Sequence, residues 1–329
     1  MKLPELWEEK VLSGEGLSLK EAEEFISLKE KNLLEIMALA NRARERFKGN
    51  EVSLCSIINA KSGMCPEDCA FCSQSMYHQT TAPVYPFVGN EKVIERAKDA
   101  KKIKAREFSV VISGYGPENN SEMEGIKKAI QSVAEETDLE PCASLGILKR
   151  EDLLKLKEAG LKNYHHNLET ARSFYQNICT THSYDEDVET VRTAKELGFK
   201  VCCGGIFGMG EKWEHRIEFA FTLKELDVDS VPLNFLNPIQ GTRLEDKKEL
   251  TSLECLAIIT LFRLVMPSKD IFVCGGREVN LRDLQSMLFF AGANGMMIGG
   301  YLTTRGRQPE DDLRMIEDLG LKIKPAGGN

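Results

Sequence analysis

The sequence predicts an α/β chain folded as a (β/α)8 barrel of the TIM type, with an N-terminal helical extension. Three observations carry that expectation. Eight short, apolar, β-rich runs recur along the chain, amphipathic helical stretches separate them, and several of those stretches stop at a glycine just before the next run. Regular alternation implies a parallel sheet, and eight strands is the number that closes a barrel. An open doubly wound sheet is the alternative, but the regular units are too many for it.

Residues 1–48 read as helices. SLKEAEEFISL offers an N-cap serine with glutamate behind it, and KNLLEIMALANRARERF keeps a helical apolar period. The eight strands are expected at 52–59, 107–113, 140–146, 163–169, 200–208, 230–236, 271–276 and 295–300. NEKVIERAKDAKKIKA, KREDLLKLKEAGLK, YDEDVETVRTAKELGFK and TSLECLAIITLFRLVMP read as helices between them, with Gly160 and Gly198 as stops. The expected division is a helical extension over 1–48, a barrel over 49–320 and a tail over 321–329.

The totals narrow the function classes. A chain of 329 residues, 42% hydrophobic, can bury a full core, and a net charge of -8 argues against a nucleic-acid binder. No apolar run approaches the ~18 residues of a membrane span. The start, MKLPELWEEKVLSGEG, carries acids where a secretory signal would carry a basic flank. A cytoplasmic protein is expected, and there ten cysteines read as ligands, catalysts or buried thiols rather than disulfides.

SGMCPEDCAFCSQS sets Cys65, Cys69 and Cys72 in C-x3-C-x2-C spacing, in the loop after the first strand. That is the end of a barrel where its enzymes keep their chemistry. A thioredoxin motif would be a lone C-x2-C. Zinc usually takes four ligands, or three with a histidine among them, whereas iron–sulfur clusters are held by thiolates. Spacing alone leaves two readings open. One is a zinc knuckle completed by a distant residue such as His78; the other is a cubane whose fourth iron is free for a substrate or cofactor.

Other residues are placed by strand phase. Cys55, Cys142, Cys202 and Cys274 fall on the first, third, fifth and seventh strands, and barrel interiors fill in layers drawn from alternate strands. Cys55 and Cys274 equally fit small buried hydrophobes. Cys203 faces away from Cys202 and reads as core, Cys255 reads as helix packing, and Cys179 reads as a spectator thiol. Asn167 and Glu169 share one face of the fourth strand, while adjacent His165 and His166 face opposite ways and cannot chelate together. His182 sits within a motif, where a polar substrate contact is as good a reading as any chemistry.

The cysteine loop is similar to the signature of radical S-adenosylmethionine (SAM) enzymes. Together with YHHNLET, YQNICTTHSY, CCGGIFGMGE, VPLNFLNPIQGTRL, GGREVNL and AGANGMMIGGYLTT, it makes residues 5–320 resemble the biotin synthase family. The resemblance implies that Cys65, Cys69 and Cys72 hold a [4Fe–4S] cluster whose fourth iron is chelated by SAM. Reductive cleavage of SAM then gives a hydrogen-abstracting 5′-deoxyadenosyl radical, so no acid–base pair is required. It further implies sulfur insertion between C6 and C9 of dethiobiotin, with the sulfur drawn from an auxiliary iron–sulfur cluster.

Most family members hold that second cluster with three cysteines and an arginine. The matching positions are Ser109, Cys142, Cys202 and Arg277, and Ser109 is a departure. The expected ligands are therefore Cys55, Cys142, Cys202 and Cys274, around a two- or four-iron cluster with Arg277 nearby rather than bound. By resemblance, Phe71, Ile206 and Gly208 lie on the adenine side. Asn167 contacts ribose and the ureido ring, Glu169 the ribose hydroxyls, and Asn234 the ureido ring. Flavodoxin or ferredoxin as electron donor and a homodimer are implied in the same way. A sister radical SAM enzyme of the hydrogenase-maturation or methylornithine-forming type remains an alternative, which Ser109 favours and YHHNLET with GGREVNL opposes. From another class, a zinc- or cluster-bound carrier protein is also open.

Overall fold

Ser18 opens the long helix of the extension. Its hydroxyl accepts the Glu21 N–H, and the Glu21 carboxylate accepts the Ser18 N–H at 2.8 Å, a reciprocal cap. The helix then runs Leu19–Lys48 and buries Phe25, Ile36, Met37 and Ala40 on the face that packs against the helix Ser252–Val265. This computed structural model describes residues 5–248 and 250–327, so residues 1–4 of the expected extension and 328–329 of the expected tail lie outside it. Among the described residues no helix is long and apolar enough to cross a membrane.

The strands are β1 (Glu51–Lys61), β2 (Glu107–Ile112), β3 (Glu140–Ser144), β4 (Asn163–His165), β5 (Lys200–Cys202), β6 (Gly205–Phe207), β7 (Ser230–Phe235), β8 (Asp270–Val273), β9 (Gly295–Met297) and β10 (Lys322–Ile323). They pair in parallel, and β1 joins both β2 and β9, which closes the ring with helices outside it. The fifth position in the ring is split. β5 and β6 both lie on β7, interrupted where Gly204 comes against it. A Cβ there would sit 2.0 Å from Pro232 O, so only glycine admits the approach. The fourth strand is shorter than its sequence run because the chain turns after His165, sending the Leu168 and Glu169 N–H groups to Gly204 O. Within the expected tail, Lys322 and Ile323 pair with Glu51 and Val52.

Register decides which side chains face the barrel interior. Residues side by side on parallel strands share a face, and here Cys55 lies beside Glu107, Ser109 beside Cys142, Cys142 beside Asn163 and His165 beside Cys202. The whole set points inward. Cys203 therefore points out into the apolar layer between strands and helices.

One buried cation ties this layer to the base of the barrel. Fully buried Arg263 donates to Gly292 O at 2.7 Å, Pro267 O at 2.8 Å, Lys269 O at 2.6 Å and Asn294 Oδ1 at 2.7 Å. Arg263→Met keeps the volume but strands three carbonyls. It should destabilise the fold by about 3 kcal/mol or more, at roughly 1–3 kcal/mol for each unsatisfied buried group. Thermal unfolding reads this directly: the methionine variant should melt well below the parent, with Arg263→Lys between the two.

Candidate functional site

β1 delivers the chain to the C-terminal mouth of the barrel, where the cysteine loop is wound by its own backbone. Cys65 N–H donates to Gln74 O at 3.0 Å, Met76 N–H to Cys65 O at 2.9 Å and Cys72 N–H to Cys69 O at 2.9 Å. The amides of Glu67 and Gly114 point at the Cys65 sulfur, and those of Gln74 and Ser75 at Cys72. Burial pushes the Cys72 thiol up to about 11, so a thiolate there calls for a cationic partner. Three thiols from one turn, served by amide donors, fit an iron–sulfur cluster. His78 turns Nδ1 to Cys72 O at 2.8 Å and braces the loop backbone.

A second loop, after β4, clamps the first. Asp68 accepts the Thr180 N–H at 2.8 Å and the Thr180 hydroxyl at 2.6 Å, while Glu67 accepts the Thr181 hydroxyl and His182 Nδ1, both at 2.5 Å. Burial opposes ionisation of Asp68, but the Thr180 donors outweigh it and hold the carboxyl at about 2. Arg243 ties both loops by donating to Asp68 O at 2.6 Å and Ile178 O at 3.0 Å. Behind the clamp, Asp187 accepts from Tyr175 at 2.7 Å and bonds His166 at 2.9 Å.

A cavity of about 280 Å³ leads from this loop into the barrel. Phe71, Asn167, Ile206 and Asn234 line it, together with His165, Glu107 and the interior cysteines Cys55, Cys202 and Cys274. Phe71 and Ile206 pack on one apolar cluster and give this end of the cavity an apolar wall. Asn167 Oδ1 accepts the Gly204 N–H at 3.1 Å. Asn234 donates to Gly205 O at 3.2 Å and accepts the Gly275 N–H at 2.9 Å, which leaves each of its polar atoms one free hydrogen-bonding position. Glu169 is held at φ +63°, and burial pushes its carboxyl up to about 8. Its Oε2 atom is buried and lacks a hydrogen-bond partner, as expected of a group waiting for a ligand.

The structure brings some expected residues together and separates others. Cys55 and Cys274 are in hydrogen-bond contact and share the cavity with Cys202. Cys142 also faces inward but is fully buried and does not line the cavity, taking the Asn163 amide at 3.3 Å. There Glu107, Cys142 and His165 bring one donor atom each within 4.8 Å of one another. Ser109 also faces inward, with Oγ 3.3 Å from His165 Nδ1. Arg277 does not line the cavity; its Nη1 and Nη2 atoms are engaged by Gln285, Asp312 and Glu278, while its buried Nε lacks a hydrogen-bond partner. Gly208 also lies off the cavity, and its amide serves the Glu211 carboxylate at 3.0 Å. His182 is taken up by the clamp, and Cys179, expected to be a spectator, lies 3.8 Å from Cys69. Glu107 went unnoticed, although an acid at an inward-facing register of an apolar strand was a signal.

A parallel barrel with three loop cysteines at its C-terminal mouth defines a radical SAM enzyme, and residues 61–223 match the model of the Radical SAM superfamily. Residues 232–322 match the Biotin and Thiamin Synthesis associated domain. The biotin synthase of Geobacter sulfurreducens is 53% identical over 325 residues, 99% of each chain, and that of Geotalea uraniireducens is 54% identical over 312 residues, 95% of each. The chain belongs to the biotin synthase family, whose reaction is the insertion of sulfur into dethiobiotin. Methylornithine synthase superposes with a TM-score of 0.85 at 24% identity, covering 97% of this chain and 98% of that one. The FeFe-hydrogenase maturase of Carboxydothermus hydrogenoformans gives 0.80 at 18%, covering 96% and 78%. Those two likenesses speak for the fold, while the identity to biotin synthases outweighs the sister-enzyme alternative.

Two carboxyls that burial pushes up, Glu107 in the cavity wall and Glu169 beyond it, make a pH prediction. Burial, with Glu140 adding, pushes Glu107 up to about 7, and Glu169 stands at about 8, both from 4.5. Each binds its proton more tightly folded than unfolded, so the stability it lends is complete below 4.5 and lost as pH rises through 7 to 8. His165, held at about 4 by burial, works in the opposite sense below its ordinary 6.5. The cluster-free protein should therefore lose stability from about pH 6.5 to 8. Urea unfolding across that window should give a flatter decline for the Glu107→Gln, Glu169→Gln double variant.

Proposed function

We propose that Cys65, Cys69 and Cys72 hold the SAM-binding [4Fe–4S] cluster, and that Cys55, Cys142, Cys202 and Cys274 hold the auxiliary cluster. The observation that carries this reading is a single cavity. It runs from Phe71 in the cluster loop to three inward-facing thiols and passes Asn167 and Asn234 on the way. When bound, the first cluster with SAM supplies the hydrogen-abstracting radical and the second supplies sulfur.

The chain's own residues bind, orient and exclude water. Phe71 and Ile206 offer the apolar wall for adenine, and Glu169 presents its unpartnered oxygen to the ribose hydroxyls. Asn167 and Asn234 hold the ureido ring of dethiobiotin, since a neutral cyclic urea needs both donors and acceptors. Arg277, paired with Asp312, stands near the auxiliary cluster rather than ligating its iron. The helices up to residue 48 form an extension on a barrel reaching to about 320, with Lys322–Ile323 pairing at the edge of β1. A cytoplasmic homodimer reduced by flavodoxin or ferredoxin completes the proposal.

Iron, sulfide and Mössbauer analysis of the anaerobically reconstituted chain with Cys65, Cys69 and Cys72 changed to alanine tests the ligand sets. A second cluster should persist there, its iron count separating two from four, and Cys55→Ala or Cys274→Ala should remove it. Its absence from the triple variant, or its full retention in both single variants, would sink the assignment. Asn234→Ala should raise the KM for dethiobiotin about tenfold, the worth of one to two neutral hydrogen bonds, with both clusters retained.

A further inference from the structure

The barrel has a second hollow at its other end. A basal pocket of about 620 Å³ opens where the strands begin, with Ser53, Glu140, Asn163, Lys200, Ser230 and Asp270 in its wall. Inward positions of such barrels usually carry bulky branched residues packed in layers. Here Ser53, Glu107, Asn163 and Ser230 occupy them, all small or polar, so the floor of the barrel is polar.

Strand register sets the height of this pocket. Asn163 lies beside Cys142, Ser230 beside Cys202 and Glu107 beside Cys55. The pocket therefore reaches the level of the cysteines from below, while the upper cavity reaches Cys55, Cys202 and Cys274 from above. Among the described residues Glu107 alone lines both, so one side chain stands at their junction.

The walls suit a small ion moving in water. Lys48 pairs with Asp270 at 2.8 Å and Lys200 with Glu140 at 3.4 Å, so these charges offset one another and trap neither sign. Asn163 is 5% exposed, gives its amide to Cys142 Sγ, and leaves Oδ1 buried without a hydrogen-bond partner. An orphaned acceptor at that height calls for a small donor, which water or the S–H of hydrosulfide supplies.

We propose that the basal pocket is a second entrance to the auxiliary site, admitting hydrosulfide past Glu107 to the cysteines from the base of the barrel. This rests on the reading of Cys55, Cys142, Cys202 and Cys274 as cluster ligands. In that reading sulfur leaves the site with each product and has to be returned. The mouth is where SAM and dethiobiotin lie, so a basal route serves the site without passing them. The passage itself makes and breaks no bond.

The test uses the full-length chain with Cys65, Cys69 and Cys72 changed to alanine, so that only the auxiliary site holds sulfide. Reconstituted protein is incubated anaerobically with sulfur-34 hydrosulfide, and the label in acid-released sulfide is followed by mass spectrometry. Ser53→Phe, which fills the pocket, should slow exchange severalfold, and Glu107→Ala, which widens the junction, should speed it. Ile239→Trp narrows the upper cavity beyond the end of β7 and should leave the rate unchanged. Exchange at the parent rate in Ser53→Phe, or slowed only by Ile239→Trp, overturns the proposal. If Ser53→Phe fails to fold, an unchanged or slower rate in Glu107→Ala overturns it instead. A parent that holds no sulfide defeats the cluster reading and this inference with it, whereas sulfide held and exchanged equally in all variants defeats the entrance alone.

Discussion

The closure of the sheet between β1 and β9 is the constraint on which the rest depends. β1 pairs with β2 on one side and with β9 and then β10 on the other, so its backbone groups are satisfied and it has no free edge. That strand carries Cys55 into the interior and runs straight into the loop of Cys65, Cys69 and Cys72. Both proposed cluster sites thus hang from one rigid element, and a slip of one residue in its register would turn Cys55 out of the barrel.

Rigidity at the mouth comes from charge-assisted hydrogen bonds added to a small apolar cluster that includes Ala70 and Ile178. The cluster loop is otherwise polar and turn-rich, so apolar burial alone does not hold it. Asp68 and Glu67 instead engage Thr180, Thr181 and His182 across the mouth, and Arg243 bridges the two backbones. The clamp leaves the barrel strands free to present uncharged donors and acceptors, Asn167 and Asn234, to a neutral substrate. Charge is concentrated where the loop is fixed and sparse where the ureido ring is expected to lie.

Much of this was legible along the chain, because strand and helix periods are local. Eight apolar runs separated by capped helices could be counted, and alternation correctly set His165 against His166 and Cys202 against Cys203. The short fourth strand and the split fifth could not be read. They arise where Gly204 and Gly205 come against Pro232 and Glu169, contacts between segments far apart in sequence. Arg277 illustrates the same limit: a motif named it, but Asp312 on a distant helix decided where its guanidinium points.

The sequence by itself determined the barrel, the three-cysteine loop at its mouth and the family, since each is a local pattern of spacing, alternation or motif. Only the tertiary structure decided that Cys55, Cys202 and Cys274 line the cavity while Cys142 does not, and that Cys179 touches Cys69 across 110 residues of chain. The physical reason is that height along the barrel axis follows from strand shear and tilt. Contact between loops likewise follows from where the closed ring brings strand ends together, and neither is encoded in any one segment.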